Sequence, residues 1–321
     1  MRIGYSLGPL LSISEVLACA KMADQKQNVD SIWMPESWGR ESFSTLGAVS
    51  QVTSRVRLGT SIISIFARTP ATIAMAASTL DMLSANRAVI GLGTSTEAIV
   101  ENWHGVKFEK PASRMREYVQ CIRLMLTGEK VNFDGQFFTI KNFKMLHNPA
   151  RKDTPIYVAA VNKNMVALAT ELADGAIFYL RPIDELKNTV SDIKSRRKDF
   201  EIALSLICAV SNKEPQKARE RAAKTLAFYI AVGKFYSNFL AENGFKNEVE
   251  AIISEYRKNG GDSAARRVSD KMLGSLTVCG SAEDCVKSLD RFIAAGITLP
   301  ILQVNPVSDA EGSFREMLST F

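Results

Sequence analysis

The side chains able to do chemistry are few. The chain has two histidines and five cysteines. Cys19, Cys121, Cys208, Cys279 and Cys285 form an odd set without a C-x-x-C pair, and no metal-ligand cluster or Cys–His pair emerges. No serine stands in a G-x-S-x-G elbow, so nucleophilic hydrolysis has no support. Gly91-Leu92-Gly93 is a fragment of a dinucleotide-binding pattern, with Thr96 where its third glycine belongs. What remains is carboxylates, hydroxyls and backbone, a set that binds and orients while a redox cofactor supplies the reactivity.

Those groups need a scaffold, and its pattern runs from end to end. Short apolar or β-branched runs alternate with longer helical stretches, the mark of βα units around a parallel sheet. The strands are expected at residues 2–7, 31–34, 56–63, 87–93, 155–160, 175–180, 201–210 and 298–304. Between them, Ser12 and Glu15 have capping-box spacing, Pro70 opens a helix, and Asn164 precedes another. Eight such units in 321 residues fit a (β/α)8 TIM barrel, read as one domain over residues 1–321. Two insertions are expected, at about residues 105–150 and 214–273. The first contains a hairpin turning at Asp134-Gly135, and the second is mostly helical with a break at Asn259-Gly260-Gly261.

The chain is 46% hydrophobic and carries +6, and no apolar stretch reaches the roughly 18 residues of a membrane span. No signal peptide, membrane or nucleic-acid partner is expected. Basic residues at 194–198 and 217–224 read as solvated helix faces, and the modest positive field suits an anionic cofactor. Unpaired cysteines point to a reducing, cytoplasmic setting. Barrels place reacting groups just past the C-terminal strand ends, so the segments to inspect are 6–9, 35–38, 61–66, 93–97, 159–162, 180–182, 211–212 and 303–305.

In these segments a family becomes visible. RIGYSLGP, SIWMPES, the block VRLGTSIISIFARTPATIAMAASTLDMLSANRAVIGLGTSTE, then PIYVAAVNKNMVALATELADGAIF and SLTVCGSAEDCVKSLDRFIAAGITLPILQ follow one another in order. Together they resemble the luciferase-like monooxygenase superfamily, above all its coenzyme F420-dependent methylenetetrahydromethanopterin reductases.

That resemblance implies roles the residues alone would not. A non-prolyl cis peptide would fall at Ser61-Ile62 and back the central ring of a deazaflavin or flavin; without it, residues 60–63 are plain core strand. Glu36 keeps the acid found after the second strand as a catalytic candidate, while Ser37 replaces the histidine that usually follows. Glu97, after Gly93 and Thr94 in the cofactor loop, becomes the leading proton donor, expected to be raised in pKa by desolvation; the plainer alternative is a helix N-terminal carboxylate. Ala159, Ala160, Val161 and Asn162 match the region that binds the cofactor's phosphate or side chain, where relatives tend to have glycine. Ser6 contributes to the cofactor site where the pterin reductases carry glutamate, and Trp38 and Phe66 wall the substrate pocket. Outside these matches, His104 and an Arg114–Glu117 helix-face pair could contact substrate or stabilise the barrel, and the structural reading is favoured.

The function implied is hydride transfer between coenzyme F420 and a small organic substrate by a homodimer. An FMN-dependent monooxygenase and a non-catalytic flavin-binding paralogue are the alternatives.

Overall fold

A computed structural model describes residues 1–36 and 39–321. In chain order the strands are β1 (Ile3–Ser6), β2 (Val29–Met34), β3 (Arg57–Thr60), β4 (Ile63–Ser64), β5 (Ala88–Gly93), β6 (Val131–Asp134), β7 (Thr139–Phe143), β8 (Ile156–Ala159), β9 (Gly175–Tyr179), β10 (Glu201–Val210), β11 (Thr277–Gly280) and β12 (Leu299–Val304). The main sheet runs β11-β10-β12-β1-β2-β3-β5-β8-β9, and β10 also pairs with β9, which closes it. The fold is the expected (β/α)8 barrel, with a strand found in each of the eight expected runs.

Contacts divide the chain into two compact units, one of residues Met1–Val29 and Phe178–Phe321, the other Asp30–Ile177. In the second unit the strand ends are set by register: Met34 lies opposite Thr60, Leu92 opposite Val158, and Ala159 opposite Ile177. All of β5 is buried, as a barrel strand covered on both faces must be. Gly59 is required by Trp33, whose ring would lie 2.3 Å from an added Cβ. Below the strands, buried Asp81 accepts from Ala88 N, Arg151 and Thr154 Oγ1 at 2.8 to 2.9 Å. Arg87, also buried, donates to Ser84, Val56, Ser50 and Thr53. Each buried charge is thereby matched, which is the condition for tolerating it.

Helices α1 (Ile13–Asp24), α2 (Ser42–Ser50), α3 (Pro70–Ser84), α4 (Glu97–Asn102) and α5 (Pro111–Leu126) follow the first strands. Ser12 and Glu15 form the expected capping box, and Pro70 sits at the start of α3 behind its cap Thr69. The next helix, α6 (Lys163–Leu172), starts earlier than expected: Asn162 is its cap, with Oδ1 accepting from Met165 N at 2.9 Å. An Asn whose side chain reaches the third N–H beyond it ends the coil there, before Asn164 can.

The hairpin forms from β6 and β7, turning beyond Asp134. It corrects the expected Arg114–Glu117 pair, because Glu117 instead accepts from Gln136, Phe137 and Phe138 N at 2.7, 2.8 and 3.3 Å. A carboxylate gains more from three turn N–H groups than from one exposed helix-face partner. A Cβ on Gly135 would come within 2.4 Å of Glu117 Oε2, so a larger residue there would displace the Glu117 carboxylate.

In the first unit, α7 (Ile183–Arg196) precedes β10, and the expected helical insertion resolves into α8 (Pro215–Val232), α9 (Lys234–Leu240), α10 (Lys246–Asn259), α11 (Gly261–Ala265) and α12 (Asp270–Leu276). Leu226, Ile230, Ile252 and Leu276 bury one face of this group. The segment then adds a strand that the sequence pattern did not suggest, β11, pairing residues Thr277 to Gly280 with Ile207 to Val210. Helices α13 (Ala282–Ala294) and α14 (Ala310–Thr320) flank β12.

Candidate active site

The C-terminal strand ends of the second unit hold most of the expected residues. Strand β3 stops at Thr60, the Ser61–Ile62 peptide bond is cis, and the strand resumes as β4 at Ile63. Ser61 N donates to Met34 O at 2.8 Å, which ties the break to β2. Ser61 and Ile62 are half-buried, so their backbone forms a platform at the strand end. Ile62 rests on Gly93: a Cβ there would lie 2.5 Å from Ile62 Cδ1. Beyond Gly93, Thr94 is half-buried and Ser95 is left-handed at φ 59.

Glu97 is exposed as the first residue of α4. The desolvation expected for it is absent, and its position is that of a helix N-terminal carboxylate, where the macrodipole favours a negative charge.

Glu36 is held far more tightly. Its carboxylate forms a two-pronged ion pair with Arg68, one contact very short and the other 3.0 Å, and accepts from Ser42 N at 2.9 Å. Arg68 also lies 3.4 Å from Glu41, which caps α2 by accepting from Phe43 N and from Ser44 N at 2.8 Å. Burial alone would lower the Arg68 pKa, but hydrogen bonding and charge from Glu36 and the charge of Glu41 hold it above its ordinary value. With each oxygen engaged, Glu36 fixes the position of the Arg68 guanidinium.

This pair opens onto a cavity of about 330 Å³ that Arg40, Ser64, Ser95 and His104 also line. Arg68 was not expected there, and His104, for which the structural reading was favoured, lines the cavity. Arg68 lies two residues past the inspected segment that ended at Phe66, and its pairing with Glu36 depends on a fold contact over 32 positions. His104 reaches the cavity from the turn after α4, a position that helix periodicity does not single out.

The remaining expected residues are dispersed. Phe66 is buried against Phe108, ring centroids 5.2 Å apart, and so serves as wall. Ala159 and Val161 are half-buried, Ala160 is buried with N–H donated to Ile177 O, and Asn162 is spent on its cap. Among the described residues, no acceptor takes the N–H groups of Lys163 and Asn164, the first two of α6. Ser6 belongs to the other unit, buried opposite Gln303. Ser37 and Trp38 lie outside the described residues.

Residues 61–62 are seated on Gly93 at the end of β3, and the two N–H groups opening α6 are without an acceptor among the described residues. All five cysteines are free and buried, and burial raises each thiol, Cys19 to about 12 and Cys121 to about 11. Such thiols are protonated and not nucleophilic.

A parallel barrel with an acid–guanidinium cavity past its strand ends belongs to the class of barrel enzymes. Within that class the chain is a member of the luciferase-like monooxygenase family, whose profile matches residues 2–299. It is 31% identical, over 94% of both chains, to a Mycobacterium tuberculosis protein provisionally named a coenzyme F420-dependent oxidoreductase. It is 27% identical to the 5,10-methylenetetrahydromethanopterin reductase of Methanolobus tindarius, over 93% of this chain and 92% of that one. In structure it is similar to the coenzyme F420-dependent tetrahydromethanopterin reductase of Methanopyrus kandleri, with a TM-score of 0.88 and 20% identity over 99% and 97% of the two chains. No helix among the described residues is long and apolar enough to cross a membrane.

Proposed function

We propose that this chain is a coenzyme F420-dependent oxidoreductase that acts on a small organic molecule, as a homodimer in the cytoplasm. The observation that carries this is the backbone platform at Ser61 and Ile62, backed by Gly93, beside the cavity holding Glu36 and Arg68. The relative provisionally named for the same coenzyme, alike over nearly the whole chain, supports it. Five buried free thiols agree with a reducing compartment.

When bound, the deazaflavin supplies a hydride acceptor or donor. Ser61, Ile62, Gly93 and Thr94 would hold its ring, and the Ala159 to Asn162 turn with the opening of α6 its anionic side chain. Glu36 fixes the Arg68 guanidinium toward the cavity, where it can orient a substrate oxygen. Glu97, exposed at the start of α4, is the side chain that the family resemblance assigns to hold or release the proton accompanying hydride at a substrate oxygen. A cavity of about 330 Å³ suits a substrate near the small end of the range for bound ligands.

Equilibrium titration of the purified chain with coenzyme F420 and with FMN, read by intrinsic tryptophan fluorescence, tests this. Tight binding of the deazaflavin alone is expected, followed by turnover on alcohols, aldehydes or pterins. Preference for FMN would move the assignment to a monooxygenase, and binding of neither would end the catalytic assignment.

A further inference from the structure

Arg114, in the first turn of α5, is half-buried among aromatic rings, and its Nε makes no hydrogen bond. Its Cζ lies 4.9 Å from the centroid of Phe66, 5.0 Å from Phe138 and 5.7 Å from Phe137. Its Nε is buried without a hydrogen-bond partner, and it is the one such side-chain atom among the described residues. The nearby carboxylates are committed elsewhere: Glu117 to the hairpin turn, and Glu109 to Lys107 at 2.9 Å. A guanidinium has five donors in one plane, and a buried donor left unmade is costly.

Rings over a guanidinium satisfy its faces and leave its edges. The edge is the part that takes a carboxylate or phosphate by two parallel hydrogen bonds. Phe66 links this box to the cavity already described, since the next two residues, Ala67 and Arg68, line it. We propose that Arg114 is the receptor for an oxyanion, a carboxylate or phosphate, borne by a ligand whose apolar body packs on the half-buried Phe137 and Phe138. It rests on the unpartnered Nε and the rings around the guanidinium, and not on the redox assignment.

The test compares wild type with Arg114→Met, which keeps the stem and removes the charge. Equilibrium binding is measured for coenzyme F420 and for its deazaflavin chromophore without the phosphate-bearing side chain, and separately for benzoate and inorganic phosphate. A loss of about tenfold or more for coenzyme F420 with the bare chromophore unchanged places the oxyanion on the cofactor. Unchanged cofactor affinities with benzoate or phosphate binding lost place it on the substrate, and this arm holds even if no deazaflavin binds. Arg114→Met fills similar space among the rings and is expected to fold. Should that variant fail to fold, Arg114→Lys keeps charge without the planar fork and should weaken the same ligand several-fold. Binding of all four probes unaltered by either variant overturns the proposal and leaves Arg114 a packing residue.

Discussion

Thr60 Oγ1 donates to Gly91 O at 2.9 Å and accepts from Gly91 N at 2.8 Å, so one side chain bridges β3 and β5 where backbone pairing ends. Regular register between these strands is recorded at Leu58–Ala88 and Gly59–Val89, and beyond it the hydroxyl takes over. Gly91 approaches so closely that an added Cβ would lie 1.9 Å from Thr60 O. The contact holds Thr60, the last residue of β3, immediately before Ser61 and Ile62.

Gly91→Ala should therefore destabilise the fold by about 3 kcal/mol through overpacking against backbone that cannot yield. Thr60→Val should cost about 2 kcal/mol by leaving a buried N–H and C=O unmade. Urea unfolding midpoints measure both; wild-type midpoints would show that the strands close without this bridge.

Glu36 and Arg68 should behave as one unit. Their side chains are only 15% and 20% exposed, so Glu36→Gln, Arg68→Met and the double variant should give a coupling energy of about 1 to 2 kcal/mol in a stability cycle. Either single variant should also lower kcat/KM. Additive effects would mean that the pair is an ordinary surface contact.

Glu97→Gln should reduce kcat by about a hundredfold or more while the dissociation constant for deazaflavin stays at its wild-type value. His104→Gln, removing the one imidazole in the cavity lining, is the matched comparison. A large effect of the histidine variant with none from the glutamate variant would transfer the proton role to His104.

Acid should loosen α2 through Glu41. Burial works to raise its pKa, but hydrogen bonds from Ser44 and Phe43 and the charge of Arg68 prevail, and the pKa is lowered in the folded state. Its stabilising contribution is thus complete above the unfolded carboxylate pKa of about 4.3 and fades as pH falls through the lower folded value. Glu41→Gln should lose that contribution at neutral pH and show a flatter stability profile on the acid side; an identical profile would remove Glu41 from the acid transition.

All five thiols should resist a disulfide reagent in the native protein and react together on unfolding, since each is buried and its pKa raised. Fast labelling of any one under native conditions would contradict that burial.

What the sequence determined by itself is whatever rests on local pattern. Alternating strand and helix periods located eight barrel strands, Ser12 and Glu15 announced a capping box, and Asp134-Gly135 marked a hairpin, because each is written within a few neighbouring residues. The ordered family segments likewise carried the family and located the cis bond at Ser61-Ile62. Tertiary structure decided what depends on residues far apart in the chain. Arg68 meets Glu36 across 32 positions, and Glu117 leaves Arg114 for turn N–H groups some twenty residues on, because folding brings better donors than the helix face provides. Burial is settled the same way: Glu97 is exposed and Arg114 is enclosed by phenylalanines from two other segments. Side-chain chemistry is local, but its partners and its solvent are assigned only when distant segments pack.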